Sequence, residues 1–311
     1  MAEMEIKLLN KEVALSPTRA VEAAERDYHS RIDSIADHVV SHGSLRMILI
    51  AGPSGSGKTT TANLIADSIR GRGEPTLVVS LDDFYKDSTD PTYPINDMGG
   101  RDLECPDALH IDRINDTLRT ISLGKEFSLP KYDFKQGRCV SYTHHRPMPD
   151  GCVIIEGLHT LNPRISGGIE PDRALKLFIS VSTNINDGGV RLISGRKIRF
   201  VRRMVRDSIY RGSSCADTLK MWHDVLAAED KYLYPYKGLA DMHFDTFHTF
   251  ELGVMRYYAD GLITPEIFAA DPYAATVSRA LSRITPVPED TVPQNSLIRE
   301  FIPGGIYEDL Y

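Results

Sequence analysis

Met47-Ile-Leu-Ile-Ala51, running straight into Gly52-Pro-Ser-Gly-Ser-Gly57-Lys58-Thr59-Thr60, is the stretch on which the fold turns. Five apolar residues in a row read as a strand buried on both faces. The glycine-rich segment reads as a tight turn, and Thr61-Ala-Asn-Leu-Ile-Ala-Asp67 as a helix. Strand, turn and helix in that order suit a polyphosphate. Residues without Cβ let successive backbone N–H groups close around its oxygens, and the helix N-terminus adds its dipole. Lys58 reaches the β- and γ-phosphates, and the Thr59 hydroxyl can hold magnesium. The expected phosphate ligands are Gly52, Ser54, Gly55, Ser56, Gly57, Lys58, Thr59 and Thr60.

Composition sets the surroundings. With 311 residues, 41% hydrophobic and 25% charged, the chain can bury the core of one large domain or two small ones. No apolar run approaches the roughly 20 residues of a membrane helix. The acidic, sparsely apolar start Met1 to Asn10 does not read as a signal peptide, so a cytoplasmic location is expected. Cys105, Cys139, Cys152 and Cys215 form no C-x-x-C pair and are expected as reduced thiols without a metal. A net charge of −7 argues against a surface-wide nucleic-acid platform; any anion site must be local.

Outward from the glycine-rich turn, the chain divides into an N-terminal helical extension (1–44), a nucleotide-binding domain (45–270) and an irregular tail packed on it (271–311). Ser16-Pro17-Thr18 marks a helix start, and Val21, Ala24, Tyr28, Ile32, Ile35 and Val39 recur at helical spacing up to Gly43. That apolar face either packs on the domain or makes a homo-oligomer contact. Apolar runs at Thr76–Leu81, Cys152–Ile155 and Leu175–Val181 alternate with helical stretches, the pattern of a parallel α/β sheet. Helices are expected over Thr59–Arg70, Ile111–Ser122, Lys197–Tyr210, Cys215–Leu233 and Phe250–Tyr258. Phe127–Phe134 and Arg138–Tyr142 read as extended pieces of a hairpin laid over the site.

Phosphoryl transfer to an alcohol needs magnesium, positive charge over the phosphoryl oxygens, and a carboxylate near the incoming hydroxyl. Ser80-Leu81-Asp82-Asp83 ends one apolar run with two acids, and chemistry alone leaves open which is the base. Asp82 is also a candidate for the magnesium shell. Cys152-Val-Ile-Ile-Glu156 delivers a second acid, Glu156, suited to the metal. His159, close behind, reads as a packed histidine or a phosphate contact. Between Arg191 and Arg211 eight basic residues face the single acid Asp207, and Arg199, Arg203 and Arg206 share one helical face. Such a face reads as a lid over phosphates, or as an RNA-binding surface.

Taken together, Gly52-x4-Gly57-Lys58-Thr59, Asp82-x-Phe84-Tyr85, Tyr132-Asp133-Phe134, Glu156-Gly157 and Arg203-x-x-Arg206-Asp207 with Arg211 closely resemble the uridine kinase and phosphoribulokinase family of P-loop kinases over roughly residues 45–265. The resemblance implies a five-stranded parallel sheet with helices on both faces, a basic lid helix, a small β-hairpin over the acceptor site, and ATP with Mg2+ as donor. It implies Asp82 as catalytic base, and Thr59, Asp82 and Glu156 as the magnesium ligands. Arg203 and Arg206 would face the transferred phosphoryl group, with Arg203 also touching the acceptor. Arg211 would join the phosphate ligands. Tyr85, Glu104, Tyr132 and Phe134 would line the acceptor pocket. The sequence departs from the family pattern at Lys135-Gln-Gly-Arg138, which lacks the pyrimidine-reading histidine, at Glu104, where aspartate is commoner, and at Ser213, where many members carry arginine. The ending Asn295–Ile302 resembles a uridine-kinase-related branch. The expected activity is ATP-dependent phosphorylation of a small-molecule alcohol, foremost the 5′-OH of uridine or cytidine. The alternatives are a kinase of the same fold acting on another nucleoside, a sugar phosphate or a pantothenate-like alcohol, and a nucleotide-binding regulatory or RNA-associated protein.

Overall fold

The computed structural model describes residues 2–96, 99–146 and 151–310. In chain order the elements are β1 (Glu3–Glu5), α1 (Ile6–Leu15), α2 (Pro17–Ser41), β2 (Met47–Ala51), α3 (Lys58–Arg70), β3 (Thr76–Ser80), α4 (Ile111–Ser122), β4 (Phe127–Asp133), β5 (Arg138–His145), β6 (Cys152–Glu156), α5 (Pro163–Ser166), β7 (Ala174–Ser180), β8 (Asn184–Asp187), β9 (Val190–Ile193), α6 (Gly195–Arg211), α7 (Cys215–Tyr232), β10 (Met242–Asp245), α8 (Glu251–Leu262), α9 (Pro265–Ala270) and α10 (Pro272–Leu281), joined by 3-10 turns.

Five strands form one parallel sheet in the order β10-β7-β2-β6-β3. The strand that feeds the glycine turn is therefore central, and all five of its residues are buried, as the unbroken apolar run predicts. Helices cover both faces. One face packs against α2, α3, α6, α8 and α10, the other against α4, α5 and the turn after β3. The fifth strand was not visible in the residue pattern: Met242–Asp245 is short, half polar and half exposed at the sheet edge. The two small sheets, β1-β8-β9 and β4-β5, lie apart from it.

Helix α2 resolves the choice left open for its apolar face. Val21, Tyr28, Ile32, Ile35 and Val39 are buried in the main core, packed with α3, so that face belongs to this chain's own interior. Ser16 caps it, its side chain accepting from the Arg19 N–H, with Pro17 in the first turn. The irregular tail is corrected at its beginning: Pro272–Leu281 is a helix, started by Asp271 accepting from the N–H groups of Tyr273 and Ala274. Pro272 opens that helix, where its missing N–H is harmless. After Thr285 only turns follow, yet Leu297, Ile298, Phe301 and Ile302 are fully buried.

Candidate active site

The glycine turn takes the shape its sequence demands. Gly55 and Gly57 have φ of 71° and 83°, in the left-handed region that side chains resist. At Gly52 a Cβ would lie 2.4 Å from the Ile179 carbonyl oxygen, so the strand-to-turn step admits only hydrogen there. Lys58 opens α3 and turns back over the loop, its Nζ 3.4 Å from the Pro53 carbonyl oxygen. Ser56 and Thr60 are buried beneath the loop, and the Ser56 N–H closes the turn on the Pro53 carbonyl at 3.2 Å.

Two arginines hold that loop from behind, and this corrects the expectation of a lid face containing Arg199. Arg199 and Arg202 are 1% and 0% exposed. Arg199 pairs with both oxygens of Glu229 at 2.7 and 2.8 Å and donates to the Ser54 carbonyl, while the Ser54 N–H donates to the same Glu229. Arg202 pairs with Glu251 at 2.6 and 3.1 Å and donates to the carbonyls of Gly55 and Thr246. The Thr246 hydroxyl in turn donates to the Ser56 carbonyl. Helix α6 is packed on its other sides by buried Ile198, Phe200, Val201, Met204 and Val205, which is why two arginines of the basic run point into protein. Glu229, Thr246 and Glu251 went unread in the sequence, because a pairing that spans 30 to 49 residues leaves no local pattern.

Arg203, Arg206 and Arg211 occupy the cleft side of the same helix and share Asp207, at 3.2, 2.9 and 3.3 Å. Arg203 also donates to the Ser54 hydroxyl at 2.9 Å, placing its guanidinium on the phosphate loop. One buried carboxylate thus orients three cations.

The carboxylates converge on Lys58. Glu156, at the end of β6, is 4% exposed; burial and the Asp82 charge push its pKa to about 7, and Lys58 opposes the shift. Asp82 follows β3 in a 3-10 turn. Its surface meets solvent, yet the cleft walls crowd it enough that desolvation raises its pKa, with Lys58, Arg211 and Arg206 pulling the other way. Asp83 points elsewhere: it accepts from the Tyr132 N–H at 3.1 Å and pairs with Lys131, tying the turn to the hairpin. The geometry therefore separates the two neighbouring acids. Two crowded carboxylates, Asp82 and Glu156, beside the start of α3 make a donor set that a hard divalent cation fits. Among the described residues no group of three His, Cys, Asp or Glu side chains stands close enough to hold a metal unaided, so such an ion would share its shell with phosphate oxygens.

Across the cleft stand the aromatics. Tyr85, Tyr132 and Phe134 form a triad with ring centroids 5.0 to 5.8 Å apart, Phe134 being 64% exposed. Two hydroxyls fix the arrangement, Tyr85 donating to the Leu103 carbonyl and Tyr132 to the Lys86 carbonyl. Glu104 lies close by; burial raises its carboxyl to about 7, and the Arg203 charge opposes this. His159 is 4% exposed with burial holding its pKa down at about 4, a neutral ring packed edge-on to Tyr232.

With strand-turn-helix, acids, arginines and aromatics in one cleft, comparison with known proteins becomes decisive. Residues 47–252 match the phosphoribulokinase / uridine kinase family. The chain belongs to that family. It is 30% identical over 197 residues to a uridine kinase of Lactobacillus helveticus, covering 63% of this chain and 84% of that one. A uridine kinase of Deinococcus deserti is 25% identical over 197 residues, 63% and 85% of the two chains. Among solved structures, a D-glycerate 3-kinase of Cryptococcus neoformans aligns at 13% identity and a TM-score of 0.47, over 67% of this chain and 89% of that one. As a member of the family that it matches, the protein is a P-loop, ATP-dependent kinase. No described helix is long and apolar enough to cross a membrane.

Proposed function

We propose that this kinase transfers the γ-phosphoryl group of ATP to the 5′-hydroxyl of a pyrimidine nucleoside, uridine or cytidine. The observation that carries the reading is the aromatic triad built on Tyr85, three residues beyond Asp82: burial raises the Tyr85 phenol, and the charges of Asp82 and Glu104 add to the effect. A base stacked on those rings gains about 1–3 kcal/mol and leaves its sugar beside the acid. Uridine kinases among the relatives support the same substrate class.

Asp82 would take the proton of the 5′-hydroxyl as that oxygen bonds to the γ-phosphorus and the bond to the ADP oxygen breaks. Glu104 would bind the ribose hydroxyls. Lys58, Arg203, Arg206 and Arg211 would neutralise charge on the transferred group, and backbone amides of the glycine turn and the start of α3 would hold the β-phosphate. Thr59, Asp82 and Glu156 would hold Mg2+, which supplies charge neutralisation between the phosphates. A coupled ADP-release assay over uridine, cytidine, purine nucleosides, sugar phosphates and pantothenate-like alcohols tests the reading. Turnover confined to a non-pyrimidine alcohol rejects it. That second outcome has its own support, the exposed Phe134 and a hairpin turn without histidine.

A further inference from the structure

Glu300 places a carboxylate inside the phosphate cradle. It sits on the C-terminal turn Leu297–Glu300, 5% exposed, and its Oε2 accepts from the Thr60 hydroxyl at 2.8 Å and the Thr60 N–H at 3.3 Å. The first backbone bond of α3 runs from Thr61 N–H to the Gly57 carbonyl, so the Thr60 amide is one of the donors that a helix start leaves for an outside acceptor. In a glycine loop leading a helix, that acceptor is where a phosphate oxygen belongs. Here the acceptor is an acid from 240 residues away in the chain.

A second contact shows that the whole turn, and not one side chain alone, is fitted to the loop: Leu297 lies against Gly57 so closely that a Cβ on the glycine would come within 2.5 Å of its Cδ1. The turn is firmly footed: Arg299 donates to the Glu289 carboxylate at 2.9 Å and to the Val292 carbonyl at 2.7 Å, and the Arg202 guanidinium lies 5.1 Å over the Phe301 ring.

We propose that residues Asn295–Ile302 form a built-in strap whose Glu300 carboxylate occupies the Thr60 seat and competes with the polyphosphate of the donor. The inference rests on reading the loop as the ATP phosphate cradle. A neutral cap at Thr60 would satisfy the helix without opposing an anion, whereas a carboxylate must move aside before a phosphate takes its place. Donor binding then releases the strap from α3, coupling occupancy of the nucleotide site to the C-terminal segment.

Calorimetric titration of the full chain with Mg-ATP, with inorganic tripolyphosphate and with adenosine tests this in wild type, Glu300→Gln and Lys58→Ala. Glu300→Gln should tighten ATP and tripolyphosphate about tenfold and leave adenosine unchanged, while Lys58→Ala weakens both anions. Unchanged or weaker ATP binding by a folded Glu300→Gln, with Lys58→Ala still impaired, overturns the strap and leaves the cradle standing. If Lys58→Ala binds ATP as the wild type does, the cradle reading fails and takes the strap with it. Hydrogen exchange on the wild type needs no variant to fold: amides of 295–302 should exchange faster with ATP bound, and slower or unchanged exchange rejects the release.

Discussion

The two walls of the cleft are built on opposite principles. The phosphate wall rests on the central strand and is braced from behind by fully buried ion pairs, Arg199–Glu229 and Arg202–Glu251, whose spare N–H groups hold the loop's own carbonyls. The acceptor wall is a two-stranded ribbon whose outer strand is almost wholly exposed, attached through Asp83 to the Tyr132 amide and by three touching rings. Buried charge tolerates no misplacement, because either partner left alone in the interior is costly. A ribbon that touches little can change sequence without disturbing the engine. Under the proposed function, the chemistry is fixed by the interior and the choice of alcohol falls to the periphery.

Replacing Asp82 by Asn strikes at the seam between the walls and should have the largest effect. Turnover should fall about 10^3 to 10^4-fold, or about 4 to 5.5 kcal/mol in barrier, with ATP affinity retained. Full activity in steady-state kinetics would remove Asp82 from the chemistry. Next comes Glu229→Ala, which strands Arg199 in the core; it should cost about 3–5 kcal/mol of stability, read as a drop of roughly 10 °C in melting temperature. An unchanged melting curve would show the phosphate wall to be less dependent on its brace than the buried pair implies.

A third experiment probes the interior by pH. Glu25 on α2 is 6% exposed, and burial raises its pKa from 4.5 to about 7, with the Ser296 side chain opposing the shift. A raised acid contributes stability below pH 4.5 that is lost as pH climbs through 7. Glu25→Gln should therefore match wild type near pH 4.5 and exceed it at pH 8 by about 3 kcal/mol. Parallel pH–stability curves for the two proteins would refute the assignment. The smallest effect belongs to the ribbon. Phe134→Ala should raise the KM for the acceptor about tenfold, leaving the KM for ATP and the melting temperature unmoved. A loss of stability instead would mean that the exposed ring is structural.

The same contrast explains what the sequence disclosed. The phosphate loop, its helix and the buried strands were legible because each is a local pattern: five apolar residues, glycines at positive φ, a helical period. Asp82, Glu156 and the cleft-side arginines were legible as motifs, and the structure brings them around Lys58. The inward turn of Arg199 and Arg202 was hidden, since an arginine reads as solvated until its buried partner is known. Glu229, Glu251 and Glu300 could be found only through tertiary contact. Edge strand β10 escaped because four half-polar residues carry too little periodicity.

Helix α2 places Tyr28, fully buried, where its hydroxyl meets Thr61 at 2.8 Å, and Asn10 spans to Thr285 and Arg283 with both ends of its amide. The catalytic region shared with other kinases is thus gripped like a stone in a setting whose prongs are drawn from both flanks of the chain. Trimmed to residues 47–252, it would show water the oily side of α3 and lose its rear seal, so the portable unit here is larger than the homologous one.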